Sequence, residues 1–173
     1  MKIFEIASYF IKLAKDQNDF MSNMKLQKLC YYAQGLNLVK NKTTLFDDNI
    51  EAWYHGPVIR TLYDKYKQHR ASNITEEDIN YTLINNDDKS IIKETHDKFS
   101  GFSAWKLRMM SHDETPWSKN YEEGLNNIIS TDDISNFFAD VMSSEETGAD
   151  IKKKISDKII RENSEAFKIL ADK

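Results

Sequence analysis

The chain has 173 residues, 40% apolar and 12% aromatic, enough for one domain to bury about two-thirds of its unfolded surface without a staple. Five glycines, two prolines and one cysteine exclude a loop-rich chain, an intrachain disulfide and a multi-cysteine zinc site. The net charge of −4 is uneven: residues 1–70 hold 11 bases and 7 acids, whereas 113–147 hold only Lys119 against nine acids. Such an acidic segment repels phosphate backbones and suits either a solvated face or a basic polypeptide partner.

The spacing of Ile3, Phe4, Ala7, Phe10, Ile11 and Ala14 predicts a helix over 2–16. Glu5 and Lys12 interrupt this stretch, which is too short in apolar residues for a signal peptide or membrane span, so a soluble cytoplasmic protein is expected. Ser22 or Asn23 can cap a second helix to 40, with Leu26, Leu29, Cys30, Ala33 and Leu36 on its stripe and Lys25, Gln27 and Lys28 facing water. Gly35 inside it costs about 1 kcal/mol against alanine, which close approach of another element would offset.

Alternation of Ile50, Ala52 and Tyr54 predicts a short strand leading to Gly56. Pro57 is then expected at the first position of a helix running through Val58, Leu62 and Tyr66 to about 69. The polar stretch 70–88 has two alternating patches suited to a β-hairpin. Ile91, Ile92, Thr95 and Phe99 mark the next helix, with Gly101 as C-cap. Ser103 caps "AWKLRMM", Thr115–Pro116 opens a helix after a turn, and Thr131 with Asp132 and Asp133 starts "DISNFFADVM". "SSEETGAD" reads as a linker, and Ile151, Ile155, Ile159, Phe167 and Leu170 predict an amphipathic helix over 150–171. The expected fold is mainly α: a compact multi-helix single domain with a short strand or hairpin, then a C-terminal amphipathic helix.

Catalytic and metal signatures are sparse. His55, His69, His96 and His112 include no i, i+4 pair, and no two glycines have nucleotide-loop spacing, so no metal or cofactor set is expected. Cys30 lies on an apolar stripe, where a thiol acts as a small hydrophobe. His112, Asp113 and Glu114 are the best acid–base group, and a hydrolase-type enzyme using His112 and Glu114 is one reading. The competing reading is a turn in which these side chains bond to backbone. The basic run "IKKKISDKIIR" is diluted by Asp157 and Glu162, so nucleic acid is a weakly supported partner. Trp53, Trp105 and Trp117 each neighbour a turn or helix start, suiting a packed junction first and an interface second.

Three blocks in order, "MKLQKLCYYAQG" (24–35), "LFDDNIEAWYHGPVIRTLY" (45–63) and "SAWKLRMMSHDETPW" (103–117), resemble the Panacea antitoxin domain, the SocA-like family of toxin–antitoxin pairs. The resemblance spans about residues 3–142, leaving 143–173 as a linker and helical extension. Cys30 stands where an aliphatic residue is usual, and Ser111 where threonine precedes the histidine. The resemblance implies a mostly helical, non-enzymatic domain that neutralises a cognate toxin encoded by an adjacent gene. In some members it implies delivery of that toxin to a protease. A phage or mobile-element regulator binding a host protein or DNA is the alternative. The motif residues are Trp53, His55, Gly56, Pro57, Trp105, His112, Glu114, Pro116 and Trp117. They are read as two capped corners that pack together, with His55 and His112 hydrogen-bonding rather than catalytic.

Overall fold

Burial on every side, not an amphipathic stripe, defines the central element. The computed structural model describes residues 2–75 and 84–143. In it helix α2 (Asn23–Asn41) packs against α1 (Lys2–Asp16), β2 (Gly56–Ile59), α3 (Arg60–Tyr66), α4 (Asn86–Phe99) and α5 (Ala104–His112). The other described elements are β1 (Ile50–Trp53), a 3-10 turn over Lys67–His69, α6 (Thr115–Ser118), β3 (Ile128–Ile129) and α7 (Thr131–Ser143). The protein is thus mainly α, with one small antiparallel sheet of order β2-β1-β3. Residues 1–138 group into one unit and 139–173 into another. Of the stretch 70–88, where a hairpin is expected, residues 76–83 lie outside the described residues, the described 70–75 and 84–85 form no strand, and 86–88 already belong to α4; the helix expected over 150–171 also lies outside the described residues.

Helix α1 forms as its spacing predicts, burying Ile3, Ile6, Ala7, Phe10, Ile11 and Ala14. Each such isoleucine or phenylalanine contributes about 1.5–3 kcal/mol on leaving water. Ser22 caps α2, its side chain accepting from Lys25 N at 3.3 Å. Cys30 is fully buried in this helix, and burial pushes its thiol pKa up, away from nucleophilic use.

The expectation that Lys25, Gln27 and Lys28 face water is wrong: they are 4%, 2% and 1% exposed. A helix enclosed by protein has no wet side, so its polar groups bond to whatever surrounds them. Lys25 Nζ donates to Asp19 Oδ2 and the Ser100 carbonyl, both at 2.7 Å. Gln27 Oε1 accepts from Ile59 N at 2.8 Å. Gln34 accepts from Leu45 N and Phe46 N and donates to the Phe46 carbonyl. Asn37 donates to the Thr43 carbonyl at 2.7 Å. Gln34 and Asn37 thus pin the loop that follows α2, Lys25 the end of α4, and Gln27 the strand β2.

Two helix ends also differ from expectation. Pro57 lies in β2, opposite Ala52, and α3 begins only at Arg60. β2 is an edge strand, where proline's missing N–H costs no ladder bond. The C-cap of α4 is Ser100, whose N–H bonds the His96 carbonyl at 2.8 Å, rather than Gly101. α7 begins at Thr131 with Asp132 and Asp133 in its first turn, as expected, and Ser130 before it accepts from Asp133 N at 3.0 Å. Ser103 caps α5 as expected, accepting from Lys106 N.

Gly35 is explained by α7: the Phe138 ring lies where a Cβ on Gly35 would stand. Tyr31 meets the same ring edge-on at 5.7 Å. A Gly35→Leu variant is expected to lose about 1–3 kcal/mol, the range for overpacked cores. Urea denaturation followed by circular dichroism checks this, and truncating the obstruction in Gly35→Leu/Phe138→Ala should return part of the lost packing.

Candidate functional site

The stretch "EAWYHGP" is a tight hairpin. Trp53 pairs with Gly56, leaving Tyr54 and His55 as its two-residue turn. Gly56 has φ +96°, a region that L side chains avoid. A Cβ there would also stand 2.6 Å from Lys28 Nζ and 2.7 Å from Ser111 Oγ. Glycine thus lets the strand lie directly on α2 and α5. Lys28 Nζ donates to the Pro57 carbonyl at 2.8 Å, and Ser111 Oγ to the Arg108 carbonyl at 2.9 Å.

The second corner is the turn from α5 into α6. Here Glu114, rather than Thr115, occupies the cap position, and Pro116 sits in the first turn. Two bonds join the corners. Trp117 Nε1 donates to the Trp53 carbonyl at 2.8 Å, and Arg108 Nε donates to His55 Nδ1 at 3.1 Å. The latter fixes the neutral His55 tautomer with its proton on Nε2. His112 stacks on Trp117, ring centroids 3.8 Å apart, and Tyr121 also stacks there at 4.6 Å. Trp53 Nε1 donates to Glu51 Oε2, while Arg60 lies over the Trp53 ring and makes two bonds to Glu51.

Glu114 does not work at the surface. It is 7% exposed, and its oxygens accept from Tyr31 Oη and Tyr32 Oη at 2.8 Å each. Burial pushes its pKa up to about 7; the two tyrosine bonds and the Lys28 charge oppose that rise, and Asp113 adds to it. Burial likewise pushes Lys28 down to about 7, opposed by Glu114 and reinforced by Arg108. His112 is driven down to about 4 by burial and by the charges of Arg108, Lys28 and His55. Burial first, then Arg108 and Lys28, also lowers His55. Both imidazoles are therefore uncharged at neutral pH.

Eight of the nine motif residues meet in this junction. Trp105 stands beside it, 59% exposed, its ring 4.6 Å from the Arg108 guanidinium carbon. The sequence reading missed Lys28, Tyr31, Tyr32, Arg108 and Ser111. Positions 28, 31 and 32 share one helical face, and a lysine with two tyrosines on that face was the available signal.

A family model described as antitoxin SocA-like, Panacea domain, matches residues 26–118, from α2 to the end of α6. The chain belongs to this family. The matched span of the Panacea domain contains both corners, the joining bonds and the buried Glu114. No curated protein and no solved structure matches the chain. No helix among the described residues is long and apolar enough to cross a membrane.

Two outcomes follow for the Panacea domain. A Gly56→Ala variant is expected to lose about 1–3 kcal/mol, from positive φ and from displacing Lys28 and Ser111; thermal melting checks it. The unfolded Glu114 carboxyl ionises near 4.5 and the folded one near 7. Between those values the folded state holds the extra proton, so raising pH through this window removes stability. Glu114→Gln should lose that component, its melting temperature falling less than that of the unsubstituted protein between pH 4.5 and 7.

Proposed function

We propose that this protein is the antitoxin of a toxin–antitoxin pair and that it neutralises its toxin by direct contact. The toxin is the product of an adjacent gene, and the domain covers that toxin's working surface without catalysing a reaction. Membership of the Panacea family supports the general role. The observation that carries the mechanism is the internal commitment of Glu114, both of whose oxygens are taken by tyrosines. His112 stacks flat on Trp117, and its Nε2, against the expectation that this ring hydrogen-bonds, is buried without a hydrogen-bond partner among the described residues. A general acid or base must touch its substrate, and the Glu114 oxygens touch the scaffold. What the hairpin and the start of α5 beside it turn outward is aromatic: Tyr54 is 66% exposed and Trp105 59%. Aromatic side chains of this kind commonly carry binding energy at interfaces. The motif residues act as a platform that holds this face in shape. Contact alone accounts for neutralisation; delivery to a protease is an added step open to any member that presents its toxin on such a platform. The acting compartment is the cytoplasm, where such a toxin is made.

The test is co-expression with each flanking gene product. One product should arrest growth alone, be silenced by this chain, and elute with it as a complex on a sizing column. Rescue should leave the toxin's half-life unchanged if contact suffices. A harmless neighbour that forms no complex overturns the reading. His112→Ala, melting like the unsubstituted protein, should keep full rescue; loss of rescue in a well-folded variant would favour catalysis.

A further inference from the structure

The Arg108 guanidinium is unusually placed. The residue is only 9% exposed, yet no carboxylate among the described residues pairs with it. Its Nε is spent on His55, and Nη1 reaches only the Met109 sulfur at 3.7 Å. Nη2 has no bond among the described residues and is not among the buried atoms sealed from solvent without a partner. Two exposed rings flank the group, Trp105 at 4.6 Å and Tyr54 at 5.7 Å from its carbon. A guanidinium held by aromatic faces, with its fork partly unused, is preorganised for a carboxylate.

Trp105 also lines a groove of about 710 Å³ with Phe20 and Phe102, and Phe20 is 53% exposed. The groove's lining includes one carboxylate, Asp19, already paired with Lys25, while exposed Arg70 adds positive charge at its edge. Apolar lining and unneutralised cations therefore meet at one ring.

We propose that this surface docks a polypeptide segment of the toxin in which an aspartate or glutamate seats on Arg108 and an adjacent apolar side chain enters the Phe20–Phe102–Trp105 groove. The inference rests on the antitoxin reading and names the chemistry of its partner. A polypeptide is favoured over nucleic acid because the recess presents a single partly sheltered guanidinium, whereas the 113–147 segment carries nine acids that repel a phosphate backbone. The pairing is a desolvated, hydrogen-bonded one, so it sets both affinity and orientation.

The probe is the flanking-gene toxin that binds the unsubstituted full chain, titrated calorimetrically. Arg108→Gln is expected to weaken binding by at least about tenfold and to flatten its salt dependence. Trp105→Ala, which removes an exposed ring, should weaken it comparably and guards against a folding defect in the first variant; both are compared by thermal melting. Arg108→Glu should be rescued by an acidic-to-arginine change in the toxin. If both variants bind unchanged while the unsubstituted chain binds, this inference falls and the antitoxin reading stands. If no flanking product binds the unsubstituted chain, that reading falls and takes the inference with it. If Arg108→Gln instead loses binding to a duplex of the upstream DNA and keeps the toxin, the surface belongs to nucleic acid and the proposal is overturned.

Discussion

The enclosure of α2 is the constraint on which the rest of the structure depends. A helix walled in by four other helices and a strand cannot offer Lys25, Gln27, Lys28, Gln34 or Asn37 to water. An unmet buried polar group costs about 1–3 kcal/mol, and more when charged. The fold meets that requirement by bringing loop carbonyls and amides to the helix. Lys25 holds the end of α4, Gln27 and Lys28 hold β2, and Gln34 and Asn37 hold the chain that leaves α2. The loops have their shape because the helix requires it.

The two corners follow from the same logic. Lys28 draws the Pro57 carbonyl inward, which a strand can follow only if the residue before it has no side chain; Gly56 meets that condition. Glu114 lies in the same region of positive charge and is fastened by adjacent tyrosines one turn along the helix from Lys28. Low dielectric raises the cost of each charge, and their opposite signs moderate it. The exposed aromatic face of the hairpin is rigid because its inner side is bonded in this way.

Much of this architecture was legible in the sequence, for identifiable reasons. α1 and α5 follow from apolar spacing and a serine cap. Gly35 signalled a close approach, and the element that approaches is Phe138. The conjunction of the Trp53–Pro57 and His112–Trp117 corners was readable as a motif. What escaped was direction. Two lysines and a glutamine on a helix look solvated when only their own helix is considered, and their partners lie mostly far along the chain. Pro57 looked like a helix opener because nothing local tells an edge strand from a first turn. Arg108 sits in "AWKLRMM" with no spacing that marks it; its significance arises only from the Tyr54, His55 and Trp105 groups gathered around it.

The carboxylate that fastens Tyr31 and Tyr32 lies 83 and 82 positions further along the chain. Closing so wide a loop precedes any reward from the contact, so the lock belongs to the later part of folding. A ribosome-bound chain that has not yet delivered Glu114 has both phenols, and the ammonium beside them, waiting for the group that completes their surroundings. Until that residue emerges the hairpin has no α6 to lean on, and the aromatic face becomes a settled surface only once synthesis has passed the second corner.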